Sequence, residues 1–149
     1  MSAIEPIVCH ISQFTVAGFS VRTKNSDEFN PETAKIPSLW QKFNTSIIAN
    51  APCVYGVYSD YESDVNGFYT LTVGVSESSE QAGFSRITIA HGNYLVFKGT
   101  GAMPEAVVTA WKQIWEFFAS NLHYQRSFIS DFEAYTSAGQ VEIYIGIVS

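Results

Sequence analysis

The chain closes on GQVEIYIGIVS (139–149), in which Val141, Ile143, Ile145 and Ile147 alternate with Glu142, Tyr144 and Gly146. Successive side chains of a strand point to opposite faces, so this spacing predicts one aliphatic face and one face that sets a carboxylate beside a phenol. The same alternation runs through YTLTVGV (69–75), with Tyr69, Leu71, Val73 and Val75 on one face and Thr70 and Thr72 on the other. Two other stretches have the 3.6-residue recurrence of helices. In PETAKIPSLWQKFNTSII (31–48) the stripe is Ile36, Leu39, Trp40, Phe43 and Ile47. In MPEAVVTAWKQIWEFFASN (103–121) it is Trp111, Ile114, Trp115 and Phe118, with Pro104 suited to the first turn. IVCHISQFTVAGFSVRT (7–23) reads as strand with a break near Ala17-Gly18. VYGVYSDYE (54–62) and GFYTLTVGVSE (67–77) read as strands around the turn signal Asn66-Gly67, and ITIAHGNYLVFKGTG (87–101) as two short strands around His91-Gly92-Asn93.

That order contains a repeat. VYSDYES matches FISDFEA, with Ser59-Asp60-Tyr61-Glu62 over Ser130-Asp131-Phe132-Glu133; YTLTVGV lies over VEIYIGI, and LWQKF over IWEFF. Each half, about 1–82 and 83–149, reads strand, helix, strand, strand within a single domain spanning 1–149. The expected fold is α+β: two pseudo-symmetric halves in one antiparallel sheet, with helices on one face and a concave groove between the halves. The aliphatic faces of the strands meet the helix stripes, so the opposite face, with Thr70, Thr72, Glu142 and Tyr144, is expected to be open to solvent or ligand. The repeat is unequal there, since hydroxyls in one copy face a carboxylate and a ring in the other.

Composition narrows the function classes. The 149 residues are 46% hydrophobic and 15% charged, which suits one globular domain with a sizeable core. Aromatic residues make up 15%, more than a core of this size normally uses, so some are available to line a pocket. The net charge of −6 argues against a nucleic-acid surface and favours cationic partners. No apolar run approaches a membrane span and the start has no signal-peptide pattern, so no membrane contact and a cytoplasmic location are expected. Cys9 and Cys53 lack CxxC spacing and His10, His91 and His123 are scattered, so neither a metal nor a disulfide is expected.

KIPSLWQKF (35–43), YTLTVGV (69–75), ITIAHGNYLVFKGTG (87–101), AWKQIWEFF (110–118), DFEAY (131–135) and VEIYIGI (141–147) run through nearly the whole chain in a recognisable order. In this ordered set the chain resembles the gyrase inhibitor-like, or AraC-type effector-binding, domains of bacterial multidrug-responsive regulators. It is most similar to the free-standing members, including those on mobile gene cassettes, because no DNA-binding segment precedes the domain. That weighs against action as a transcription regulator by itself. The resemblance implies a groove for lipophilic, often cationic, small molecules, with an acidic residue at its floor as charge partner and no cofactor. It assigns that role to Glu142 and, secondarily, to Glu133. The sequence departs from the family at Gly146, where many members have Pro.

Each candidate has an ordinary alternative. Glu142 is either the cation partner or a solvated strand carboxylate, and Glu133 either a binding group or a surface charge. Tyr144 shares the Glu142 face as a wall residue. Trp111 lies on a stripe that also suits a core, and Tyr58 and Tyr135 are candidate groove residues whose register the sequence leaves open. Asp60 and Glu62 read as surface charges. Three classes of function follow: a binding module for a lipophilic cation, a hydrolase opening electrophilic rings with Glu142 and Tyr144, or a protein-interaction module. Without a partnered nucleophile and base, the first is favoured over an enzyme. Ligand identity and oligomeric state are not encoded in any motif.

Overall fold

The computed structural model of the chain describes residues 6–46, 53–63, 66–76, 84–102, 105–120, 123–137 and 139–148. In chain order the elements are β1 (Ile7–Ile11), β2 (Phe14–Thr23), α1 (Asn25–Glu28), α2 (Ile36–Asn44), β3 (Val54–Ser59) and β4 (Tyr69–Ser76). Then follow β5 (Ser85–Ile89), β6 (Gly92–Thr100), α3 (Glu105–Ser120), β7 (Arg126–Ser137) and β8 (Gln140–Ile147). The fold is α+β, as expected, with an 8-stranded antiparallel sheet in the order β1-β6-β8-β7-β3-β4-β2-β5.

Reading outward from the central β7–β3 ladder, β3-β4-β2 on one side corresponds to β7-β8-β6 on the other. The outermost strands are exchanged. β1 precedes β2 in the chain but pairs with β6, and β5 precedes β6 but pairs with β2.

The break expected near Ala17-Gly18 falls instead at Ser12-Gln13, between β1 and β2. Gly18 lies inside β2 opposite Gly74 of β4. A Cβ on Gly18 would stand 1.9 Å from the Val73 carbonyl oxygen, and one on Gly74 2.0 Å from that of Ala17. These glycines therefore mark a close approach of two backbones rather than an interruption. β3 stops at Ser59, where Asp60 leaves extended conformation with φ 51°. α2 starts at Ile36 with Pro37 in its first turn, while Ile47 and Pro104 lie outside the described residues.

Both helices pack on the sheet face that the periodicity assigned to them. Ala110 and Ile114 of α3 meet Leu95 and Phe97 of β6 and the β8 row Val141, Ile143, Ile145 and Ile147. Leu39 and Phe43 of α2 meet Tyr69, Leu71 and Val73 of β4. At roughly 1.5–3 kcal/mol for each fully buried large apolar side chain, these two layers carry much of the fold.

The opposite face is not open, contrary to expectation. Val16, Val57, Ile89, Tyr94 and Phe132 form a third buried cluster there, with Phe14, Tyr55 and Tyr144 against it. Phe14 of β2 and Phe132 of β7 are separated by two strands, yet their ring centroids are 5.6 Å apart. Strands about 4.8 Å apart in a flat sheet would hold them farther away, so the sheet curls around this face and covers it with its own edge. Thr72 is sealed in, 1% exposed, with its hydroxyl paired to that of Ser20 at 2.8 Å. The gap in the molecule lies on the helix side. α2 rests on β2 and β4 and α3 on β6 and β8, so among the described residues no helix packs closely on the central β3–β7 pair.

Candidate functional site

Alternation along the two central strands decides which side chains enter that gap. Tyr58 pairs with Leu71, and Glu133 with Ile143, both partners belonging to the helix-side clusters. Tyr58, Glu133 and Tyr135 therefore rise from the floor of a cavity of about 410 Å³. Trp40 of α2, Trp111 of α3, Tyr61 and Tyr69 line it as well.

Glu133 is 3% exposed and lies at the centre of a hydrogen-bond cluster. The Tyr58 hydroxyl and the Trp111 indole N–H donate to its Oε2 at 2.8 and 2.7 Å, and the Tyr135 hydroxyl donates to its Oε1 at 2.6 Å. Burial pushes its carboxyl above the ordinary value of 4.5, and the hydrogen bonds from Tyr135, Trp111 and Tyr58 offset only part of that rise. Burial and the neighbouring carboxylate hold the Tyr58 and Tyr135 phenols well above 10, so both remain donors. Among the described residues, the three hydrogen-bonding partners of this buried acid are all neutral. Gly56, its cross-strand neighbour, leaves room for the carboxylate, since a Cβ there would lie 3.0 Å from Oε1.

A second buried acid, Asp131, fastens the irregular start of β7. Between the Arg126–Ile147 and Asp131–Ile145 pairs, five steps of β7 stand against two of β8, and Phe128 has φ 54°. This bulge brings Arg126 to the same acid that receives the Gly146 N–H at 2.8 Å. Tyr61 donates to Asp131 Oδ2 as well. Glu28 secures the rim: its carboxylate accepts from the Thr23 hydroxyl and from the Lys35 and Ile36 amides at the start of α2. The next residue, Phe29, is 72% exposed and meets Trp115 edge-on at 6.3 Å across the mouth.

Of the residues singled out from the sequence, Tyr58, Trp111, Glu133 and Tyr135 come together in the cavity. Glu142 and Tyr144 do not join them. They lie on the curled face, where Tyr144 stacks on Phe132 at 4.4 Å and its hydroxyl reaches Glu142 Oε1 at 3.3 Å. Glu142 is half-buried, with Lys98 at 4.0 Å. Burial, then the charge of Glu142, pushes the Tyr144 phenol up to about 12. The physical reason is that helices and cavity share one side of the sheet, so the strand face that avoids the helix also avoids the cavity.

The register also corrects the repeat. With Leu71 and Ile143 as matched positions, the residue standing where Glu133 stands is Tyr58, not Glu62. Sequence reasoning did not single out Trp40, Tyr61, Tyr69 or Arg126. The usable signal was in DFEAY, where Asp131, Glu133 and Tyr135 alternate with Phe132 and Ala134. Aligning that strand across its hairpin with VEIYIGI puts Glu133 on the helix side.

The sequence profile of one family, described as Cass2, integron-associated effector binding protein, matches residues 9–147. YobU of Bacillus subtilis (strain 168), whose name marks it as a candidate transcriptional regulator, is 31% identical over 157 residues, spanning 94% of this chain and 96% of that protein. The integron cassette protein VCH_CASS2, from the mobile metagenome of Vibrio cholerae, superposes with a TM-score of 0.88 at 36% identity, covering 96% of this chain and 95% of that one. The structure of SAV2435 bound to tetraphenylphosphonium has a TM-score of 0.74 at 18% identity over 98% and 95% of the two chains, a likeness of fold.

Proposed function

The chain belongs to the Cass2 family of integron-associated effector-binding proteins, and from that premise we propose that it binds lipophilic organic cations, with Glu133 as the charge partner. The observation that carries this reading is a buried carboxylate, in an aromatic cavity, whose hydrogen-bonding partners are all neutral. Such a group is costly to keep charged, and a cation entering the cavity relieves that cost. The faces of Trp40 and Trp111 add roughly 0.5–2 kcal/mol each where the cation lies over them. SAV2435, which shares the fold, was solved with a ligand of this class. A site of this kind selects charge and aromatic area more than precise shape.

The test is a tryptophan-fluorescence titration with tetraphenylphosphonium and with neutral triphenylphosphine oxide. The cation is expected to bind about tenfold or more tightly than the neutral compound, and Glu133→Gln to lose that preference, each factor of ten being about 1.4 kcal/mol. Glu142→Gln is expected to behave as wild type. A loss confined to Glu142→Gln would move the charge partner to the curled face.

A further inference from the structure

The space around Glu133 continues past its aromatic mouth. A second hollow of about 400 Å³ is lined by Asn25, Ser26, Phe29, Asn66 and Trp115, and three of these residues, Asn25, Phe29 and Trp115, line the first cavity as well. The edge-on pair of Phe29 and Trp115 therefore stands at the boundary between the two spaces, with the Phe29 ring mostly in water. A ligand that covers apolar surface of this kind gains affinity, roughly fourfold for each methylene it removes from water. The chemistry changes across the boundary. The first cavity holds Glu133 among aromatic rings, whereas among the described residues no ionisable side chain lines the second, where two amides and a hydroxyl stand beside the rings. A side-chain amide has two donor hydrogens and two acceptor lone pairs, so Asn25 can meet a ligand while its Oδ1 accepts from the Tyr69 hydroxyl at 3.2 Å.

We propose that the second hollow receives the tail of the ligand: an amphiphilic cation whose aromatic head lies at Glu133 and whose alkyl tail passes the Phe29–Trp115 pair to end in a neutral polar group, such as a hydroxyl, among Asn25, Ser26 and Asn66. The inference rests on the preceding reading for the place of the head, but the place of the tail stands on the continuity of the two spaces. A tail that ends in a second charge fits less well, because a charge leaving water needs an opposite charge and the described lining of the hollow supplies none. The ligand class is thus an elongated cation, charged at one end and hydroxylic at the other, rather than a compact one.

Three triphenylphosphonium cations test this by titration calorimetry, their fourth group being methyl, n-heptyl or 6-hydroxyhexyl. The readout is the ratio of dissociation constants, in which effects on the shared head cancel. In the wild type the 6-hydroxyhexyl compound is expected to bind about tenfold or more tightly than the methyl compound, the yield of about two buried methylenes, and at least as tightly as the n-heptyl compound. Ser26 is exposed and lines the second hollow but not the first. Ser26→Phe fills the hollow from its wall, and the ratio of methyl to 6-hydroxyhexyl is expected to fall to about one. A wild-type ratio near one overturns the proposal, whether or not the variant folds. A tenfold ratio that persists in Ser26→Phe overturns it too, by placing the tail elsewhere. Tighter binding of n-heptyl than of 6-hydroxyhexyl overturns the polar terminus. Glu133→Gln tests the head separately: an unchanged affinity there removes Glu133 as charge partner, while the tail ratio still reports on the second hollow. If none of the three binds the wild type, both readings fall.

Discussion

At Glu133 burial and hydrogen bonding pull the proton in opposite senses, and burial wins. Between the ordinary value of 4.5 and the raised one, the folded state therefore holds more protons than the unfolded state. The stability contribution of this group is fully present below 4.5, falls as pH rises through the raised value, and levels off above it. Under the proposed pairing, affinity for a permanent cation should run the other way, because the cation needs the charged form. Calorimetric titration of tetraphenylphosphonium across this window is expected to show affinity rising with pH and protons released on binding, with a flat profile in Glu133→Gln. A profile rising equally in both proteins would assign the titration to another group. Gly146 supports a different residue-scale prediction. Its N–H is one of the donors to fully buried Asp131, and proline has none. Gly146→Pro is expected to cost about 1–3 kcal/mol in urea denaturation, the usual range for a buried acceptor that loses a partner. Four of the residues singled out from the sequence, Tyr58, Trp111, Glu133 and Tyr135, line the cavity. That Glu133 and not Glu142 faces the cavity was not legible, because one step along a strand exchanges the faces and nothing local to VEIYIGI says which side of the sheet the cavity takes.

At the scale of elements, periodicity located both helices and the aliphatic strand faces, because burial against a helix imposes a one-sided pattern. Position along β2 was harder, since a glycine in a strand signals either a break or a close approach. The Gly18–Gly74 pair is the second case, so Gly74→Ala is expected to disrupt the β2–β4 ladder. The contact is with backbone atoms that cannot swing aside, and a midpoint loss of several degrees in thermal unfolding is expected, as for about 1–3 kcal/mol of overpacking. An unchanged midpoint would mean that the strands separate freely at this point. The curl of the sheet was not legible, as it depends on Phe14 meeting Phe132 across intervening strands, a relation that no local pattern contains.

For the whole molecule, the repeat indicated two halves and the structure adds that they are clasped. Each half supplies the outer strand of the other, and the cavity floor is the ladder between them. Trp40 reports on the first half and Trp111 with Trp115 on the second. In Trp40→Phe, and separately in Trp111→Phe/Trp115→Phe, fluorescence and circular dichroism are expected to give coincident denaturant midpoints, as a single cooperative unit requires. An earlier fluorescence transition in either variant would show the halves melting apart.

The exchanged strands also set an order of events during protein synthesis. When β1 to β4 have left the ribosome, β1 still lacks β6 and the outer edge of β2 still lacks β5. Unpaired edges of this kind are templates for pairing with other chains. A product of translation stalled before β5 would thus leave β1, the outer edge of β2 and the β7-facing edge of β3 unpaired, with Phe14 lacking Phe132, so premature termination should yield an aggregating fragment rather than a smaller folded domain.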